Sequence, residues 1–336
     1  MSDLRDVPER DGIQAATSPL PSRRGLLRLG GGLVAASAFG LSFGAGSAAA
    51  AVPATKRFSL TEPSHDLFRH VKLHDARVQQ SFTFDIVNRR LFVAQLKSGS
   101  PDDSGDLCVT QLDFSGNKLG HMYLLGFGHG VSIGAQPVGT DTYLWTEVDV
   151  NSNARGTRLA RFKWNNGATL SRTSPALAKH QPIPGATEMT CAIDPVHNRM
   201  AIRYLTASGR RYGVYNVADI AAGVYDKPLS DVPHPTGLGT FQGYALYGSY
   251  VYQLTGNPYG PDNPEPGNSY VSSVDVNTGA LVQRAFTRAG STLTFREPEG
   301  MGIYRTAAGE VRLFLGFASG VAGDRRSNLF YKNVLI

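Results

Sequence analysis

The sequence predicts an all-β chain: one five-bladed β-propeller domain over residues 52–336, preceded by a signal segment over residues 1–51. The first observation is a repeat. Five stretches open with a polar residue and enter a small or apolar strand: Gln80 (QSFTFD), His129 (HGVSIG), Glu188 (EMTCAI), Gln242 (QGYALY) and Glu299 (EGMGIY), at spacings of 49, 59, 54 and 57 residues. A strand-rich unit recurring at roughly 50 residues is the signature of propeller blades. The second observation is that period-2 and β-branched or aromatic runs dominate, with Asn- and Gly-bearing turns between them. The third is that no composition shift marks a second domain.

In chain order, Ser22-Arg23-Arg24-Gly25-Leu26-Leu27 is a twin-arginine sequence. An apolar Gly/Ala-rich stretch follows from Leu29 to Gly46, and small residues to Ala51 suit cleavage after Ala50 or Ala51. No later segment reaches the ~20 apolar residues a membrane-spanning helix needs. The segment Lys56–Leu73 is expected to add an outer strand to the last blade and close the ring. The units then cover about 77–126, 129–176, 187–236, 240–290 and 297–336. Strands are predicted at Ser81–Phe84, Arg90–Gln95, Leu107–Asp113, Tyr143–Asp149, Arg158–Trp164, Met200–Tyr204, Tyr212–Tyr215, Tyr250–Leu254, Tyr270–Val276, Val311–Phe317 and Asn328–Val334. One short helix is predicted near Val217–Ala222. A β-sandwich or irregular barrel is the competing arrangement.

Cys108 falls on a middle strand of the first unit and Cys191 on the innermost strand of the third. A disulfide needs Cα atoms about 4.4–6.8 Å apart, so two buried free thiols are expected. The formal net charge of +6 suits an anionic partner such as an acidic polysaccharide or wall polymer. It is too weak for nucleic acid, and no basic block is interleaved with aromatics. The expected protein is a monomer without stable membrane insertion.

In a blade the first strand runs along the channel and the second returns, so first-strand starts and second-strand ends share one mouth. That geometry gathers Gln80, His129, Glu188, Gln242 and Glu299 with Gln95, Trp145, Glu147, Arg203, Tyr204 and Gln253. Loops leaving the second strands, including Asn151–Gly156 and Ser208–Arg211, open there too. Amides and carboxylates bond sugar hydroxyls, and aromatic faces stack on pyranose rings. Arg203, with Arg210 and Arg211, is suited to a phosphate or uronate through charge-assisted bonds. A lyase acting on a uronate would use His129 as base, with Tyr204 or Tyr244, and Arg203 to neutralise the carboxylate. Glu147, Glu188 and Glu299 are the candidates for a two-carboxylate hydrolase. No G-x-S-x-G is present, and Gly130-Val131-Ser132 is expected in mid-strand. No metal site is predicted. The acidic run Pro101–Asp106, with Asp102, Asp103 and Asp106, resembles a calcium loop only loosely, and Ca2+ there is a minor alternative.

The second unit, HGVSIGAQPVGTDTYLWTEVD (His129–Asp149), resembles the TagC-like "teichoic acid biosynthesis protein C" and staphylococcal phage receptor-binding-protein family of five-bladed propellers. That family shows a His-Gly-x-x-x-Gly start followed by a Tyr-Leu-Trp-Thr-Glu strand. REPEGMGIYR (Arg296–Arg305) is similar to its recurrent Glu-Pro-Glu-Gly segment. The resemblance implies a five-bladed propeller associated with cell-wall polymers or their recognition. It supplies no catalytic mechanism. His129, Gly130, Trp145, Glu147, Glu297 and Glu299 match as motif positions without an assigned role. The leading expectation is an extracellular or wall-associated propeller, exported by the twin-arginine route, that binds and on one reading processes an anionic wall glycan or teichoic-acid-like polymer. The alternatives are a polysaccharide lyase and a non-catalytic cell-surface interaction propeller.

Overall fold

A computed structural model describes residues 51–336; the twin-arginine leader lies outside the described residues. In chain order the strands are β1 (His65–Val71), β2 (Gln79–Asp85), β3 (Arg90–Leu96), β4 (Leu107–Leu112), β5 (Lys118–Leu125), β6 (Gly134–Val138), β7 (Asp141–Val150), β8 (Gly156–Lys163), β9 (Thr169–Ser171) and β10 (Ala178–His180). They continue with β11 (Thr187–Asp194), β12 (Arg199–Thr206), β13 (Gly209–Asn216), helix α1 (Val217–Ala221), β14 (Ser230–Pro233), β15 (Phe241–Tyr247), β16 (Tyr250–Thr255), β17 (Tyr270–Asp275), β18 (Leu281–Phe286), β19 (Glu297–Arg305), β20 (Val311–Val321) and β21 (Asp324–Lys332).

These strands form five sheets, the blades of a β-propeller. The first is β2-β3-β4-β5, with β9 added parallel to β5 from the chain of the second. The others are β6-β7-β8-β10, β11-β12-β13-β14 and β15-β16-β17-β18. The last is β19-β20-β21-β1, so the N-terminal strand closes the ring as the sequence predicts. Closure removes the sheet edge that a chain-terminal blade would otherwise expose. The short helix α1 is also where the sequence places it, with Val217 and Ile220 buried.

The core is five seams, one between each pair of neighbouring blades. Phe92, Leu107 and Met122 meet Leu144 and Phe162 between the first and second. Trp145 and Leu159 meet Met189, Ile202 and Tyr204 between the second and third. Tyr212 and Val214 meet Tyr244 and Leu246 between the third and fourth. Successive side chains of a strand point to opposite faces. Each blade therefore sends alternate residues into the seams on its two sides. Inner β2 is buried along its whole length, whereas outer β18 has no buried residue. Cys108 and Cys191 are buried and unpaired, as their strand positions require.

The polar openings coincide with backbone irregularities. Register breaks fall between Gln79 and Ser81, Thr187 and Thr190, Phe241 and Gly243, and Pro298 and Met301. Gln80, Glu188, Gln242 and Glu299 each lie within such a break. A bulge places an extra residue against the partner strand and re-aims the side chains beside it. Glu188 takes a left-handed φ of 49° to do so. At Gly300 (φ 83°) a Cβ would stand 2.7 Å from Ser81 Cα, so the inner strands of the last and first blades meet there backbone to backbone.

The second blade departs from the sequence reading. His129–Ile133 is not a strand, and its inner strand starts only at Gly134. Gly130-Val131-Ser132 is therefore in an irregular segment rather than mid-strand. The cause is the buried Glu147 carboxylate. It accepts the backbone N–H of Gly130 at 2.7 Å and of Gly156 at 2.5 Å. Ser81 Oγ donates to Gly130 O, and Thr146 Oγ1 donates to Ser132 O. With its polar groups met this way, the segment needs no ladder.

Candidate functional site

The mouth at which the inner strands begin holds a cavity of about 220 Å³, lined by Val131, Arg155, Glu188, Thr190, Arg203, Arg210, Thr240 and Phe241. Arg203 comes from β12, and its parity on that strand turns it toward the fourth blade. Its guanidinium carbon lies 3.8 Å from the Phe241 ring centroid, a cation–π contact. It is 9 % exposed, and its Nε has no hydrogen-bond partner. Burial lowers its pKa to about 10, which leaves it charged at neutral pH. Arg210, on β13, donates from Nη2 to Glu188 Oε2 at 2.7 Å, while its Nη1 is buried and unpartnered. Arg155 projects from the β7–β8 loop, and its charge acts on Arg203, His129, Glu147 and Glu299. Three guanidinium groups thus face one carboxylate.

The other titratable groups do not cancel that charge. Part of His129 remains exposed, but desolvation first and Arg155 second push its pKa down to about 4. His234 is lowered to about 3 by burial and then by Arg203. Both imidazoles are neutral at pH 7. Glu299 is 5 % exposed; burial, reinforced by Glu297, raises its carboxyl well above the usual range. Burial likewise lifts Glu297 to about 7, against the opposing charge of Arg325.

The structure brings Glu188 and Arg203 together in the cavity and places His129 two residues from its Val131 wall. It sets other expected residues apart. Tyr204 follows Arg203 directly, so it faces the opposite seam, where its hydroxyl donates to Asp231 at 2.8 Å. Burial, and that bond, raise its pKa far above the range of a catalytic base. Arg211 shares that face and pairs with Asp231 at 2.8 Å. Trp145 is fully buried in the seam between the second and third blades, with Nε1 donating to Gln136, and offers no ring face to a sugar. Glu147 is fully buried on backbone amides.

The amides also serve the scaffold. Gln95 donates to Asp75 O and Arg77 O. Gln253 accepts from Tyr212 Oη, and Gln242 donates to Gly256 O. Gln80 reaches only Gln79 O, at 3.4 Å. Tyr244, the other base candidate, donates to Ala201 O and is fully buried.

The Pro101–Asp106 run forms no calcium cage. Asp102 pairs with Arg77, and Asp106 accepts from Ser100 Oγ and the Gly126 N–H. Among the described residues no group of three or more His, Cys, Asp or Glu side chains is placed to hold a metal ion.

Sequence reasoning missed Arg155, Phe241, Thr190, Thr240 and His234. It named the Asn151–Gly156 loop as opening on this face, which was the available signal for Arg155. It took Gln242 as the contribution of the fourth blade's first strand, but the cavity wall is Phe241, one residue earlier, where the register breaks before Gly243.

Comparison with known proteins agrees with the fold. The chain is 28 % identical over 284 residues to the Bacillus subtilis (strain 168) protein named "Putative major teichoic acid biosynthesis protein C", covering 81 % of this chain and 63 % of that one. Its fold is similar to the tail fiber of Staphylococcus aureus phage P68, with a TM-score of 0.66, 20 % identity, and coverage of 80 % of this chain and 52 % of that one. The chain therefore spans less than two thirds of the length of either. Residues 78–331 match the family described as the phage 5-bladed beta propeller receptor binding platform domain, and this chain belongs to that family.

Proposed function

We propose that this chain is an exported propeller that binds an anionic wall glycan or a teichoic-acid-like polymer at the mouth of its channel, and that it acts as a monomer. The observation that carries this reading is the cavity of three arginines and one carboxylate, in which Arg203 Nε and Arg210 Nη1 are buried without partners. Buried N–H donors of a charged group are costly unless an acceptor reaches them. An oxyanion supplies that acceptor and gains charge-assisted bonds. Arg155 and Arg203 would hold the anion, and Glu188 would orient Arg210. Phe241 would keep Arg203 in place, and Gln80 and Glu299 would meet polyol or sugar hydroxyls further along the mouth. The names of the B. subtilis relative and of the phage tail fiber fit a wall-polymer ligand, and the twin-arginine leader fits an extracellular or wall-associated location.

The test is binding of purified wall polymer to the wild-type chain and to Arg203→Ala/Arg210→Ala. Charge-assisted bonds contribute about 1.5–3 kcal/mol each, so the double variant is expected to lose roughly 100-fold or more in affinity. Undiminished binding would sink the proposed site.

The lyase reading is narrower than the sequence suggested. With Tyr204 and Tyr244 committed elsewhere, it rests on His129, neutral at pH 7 but a weak base at a pKa of about 4, with Arg203 neutralising a uronate. Its test is the ultraviolet absorbance of an unsaturated uronate across a panel of acidic polysaccharides. No absorbance on any of them removes it.

A further inference from the structure

A second cavity, sharing no residue with the first, lies between the end of the fourth blade and the outer part of the fifth. It is built around a buried lysine. Lys332 ends β21 and is 3 % exposed. Its ammonium donates to Glu62 O, which fastens the segment before β1 onto the last blade. That carbonyl satisfies one of three N–H donors. None of the ion pairs among the described residues includes Lys332. A buried ammonium with no ion pair is costly; the exposed Glu62 carboxylate acts on it from a distance, and an anion in direct contact would offset the rest. Burial lowers its pKa to about 8, so at neutral pH most of it still carries the charge.

Lys332 lines a cavity of about 480 Å³, within the range of small-molecule sites of ≈ 300–1,000 Å³. Phe330 is buried and Phe286 half-buried in its wall. Two other cations stand at its edge. Arg69 is committed, with Nε on Asp66 at 2.5 Å and Nη1 on Thr292 Oγ1 at 3.0 Å. Arg288 is exposed and absent from the ion pairs above. Setting the Arg69–Asp66 pair aside leaves Lys332 and Arg288 against Glu62, which is exposed and points no bond at either. The surplus is one positive charge beside aromatic carbon.

We propose that this cleft is a second binding site, for a sugar or polyol unit carrying a single negative charge, with its oxyanion on Lys332 and Arg288 and its carbon face against Phe286. A uronate carboxylate and a phosphodiester share that chemistry. The site does not depend on the mouth, and a polymer of repeating anionic units engaging both would gain by linkage.

The test uses the Arg203→Ala/Arg210→Ala chain, so that the mouth is silent, titrated calorimetrically with glucuronate and, separately, with glycerophosphoglycerol. At least one probe is expected to bind. Adding Lys332→Met or Arg288→Ala is expected to weaken it at least about tenfold, which corresponds to the loss of about one ionic contact. Arg288 is a surface residue, so its variant keeps the test valid even when Lys332→Met fails to fold. The probe that binds identifies the oxyanion. Absence of binding by both probes, or binding unchanged by Arg288→Ala and by a folded Lys332→Met, overturns the proposal. Neither result would bear on the mouth, which is read by polymer binding to the wild-type chain.

Discussion

Glu297 offers a direct measurement of how far the mouth suppresses negative charge. The perturbation is Glu297→Gln, which keeps the side chain's shape and removes its ionisation. An ordinary glutamate titrates at 4.5, and burial raises Glu297 in the folded chain to about 7. The folded protein therefore holds this proton more tightly than the unfolded one. The stabilisation is complete below pH 4.5 and is lost as pH rises toward 7. A displacement from 4.5 to about 7 corresponds to roughly 3 kcal/mol. The variant cannot pay that cost at high pH, so its stability relative to wild type should improve by about this amount between about pH 4 and pH 8. Urea unfolding at a series of pH values, with m unchanged, reads the difference as a shift in midpoint. Because the charge of Glu297 also raises Glu299, the variant relieves part of that carboxyl's titration too, and the measured change belongs to the pair. A stability difference that stays flat with pH refutes the reasoning. So does one that turns against glutamine at high pH, since Glu297 would then be a carboxylate held by Arg325.

Two further outcomes follow from buried groups. Glu147→Ala removes the acceptor of the Gly130 and Gly156 amides and should cost about 2–6 kcal/mol in thermal or denaturant unfolding, at about 1–3 kcal/mol per orphaned N–H; a loss below 1 kcal/mol would mean the His129–Ile133 segment is held by other means. Burial pushes Cys108 up to about 12 and Cys191 further still, so neither thiol should react with a disulfide reagent at neutral pH until the chain is unfolded; labelling of the native protein would contradict the packing.

The blades were legible because their signals are local. Short runs rich in apolar and aromatic residues along β3, β7, β12 and β16 mark strands buried on two seams, and the Asn- and Gly-bearing turns mark where they reverse. The site was legible only in part, because a strand's face changes with every residue and a bulge changes it once more. Arg203 and Tyr204 adjoin in sequence and end in different seams. Phe241 rather than Gln242 reaches the cavity for the same reason. Glu147 carries the residue type of a sugar-binding carboxylate, yet its partners are two amides from segments on either side of it in the chain, a relation no spacing rule encodes. Arg155 was hidden differently: its loop was identifiable, but which of its residues reaches inward depends on how Asn151 turns the loop back, through bonds to Asn153 and Arg155.

Burial also decides what kind of ligand the mouth favours. By residue type alone it holds Glu188, Glu297, Glu299, His129 and His234 beside three arginines, a mixture with no clear sign. Desolvation disfavours the charged form of a buried group, and here it falls on Glu297, Glu299, His129, His234 and Arg203. It raises Glu299 well above the usual carboxyl range, lifts Glu297 to about 7, and keeps both histidines uncharged at neutral pH. The arginines start so high that even the buried Arg203, lowered to about 10, stays ionised. The same low-dielectric surroundings thus leave the cations and silence much of what would oppose them. A polyanion approaching the mouth raises the nearby carboxyl pKa values further and so meets still less repulsion. Binding should therefore take up protons around neutral pH. Titrations of wall polymer into the wild-type chain in buffers of different ionisation enthalpy measure that uptake, and it should shrink in Glu297→Gln. Absence of uptake would mean that the carboxyl groups are already charged and stay so, and that the positive field of the mouth is weaker than its arginines suggest.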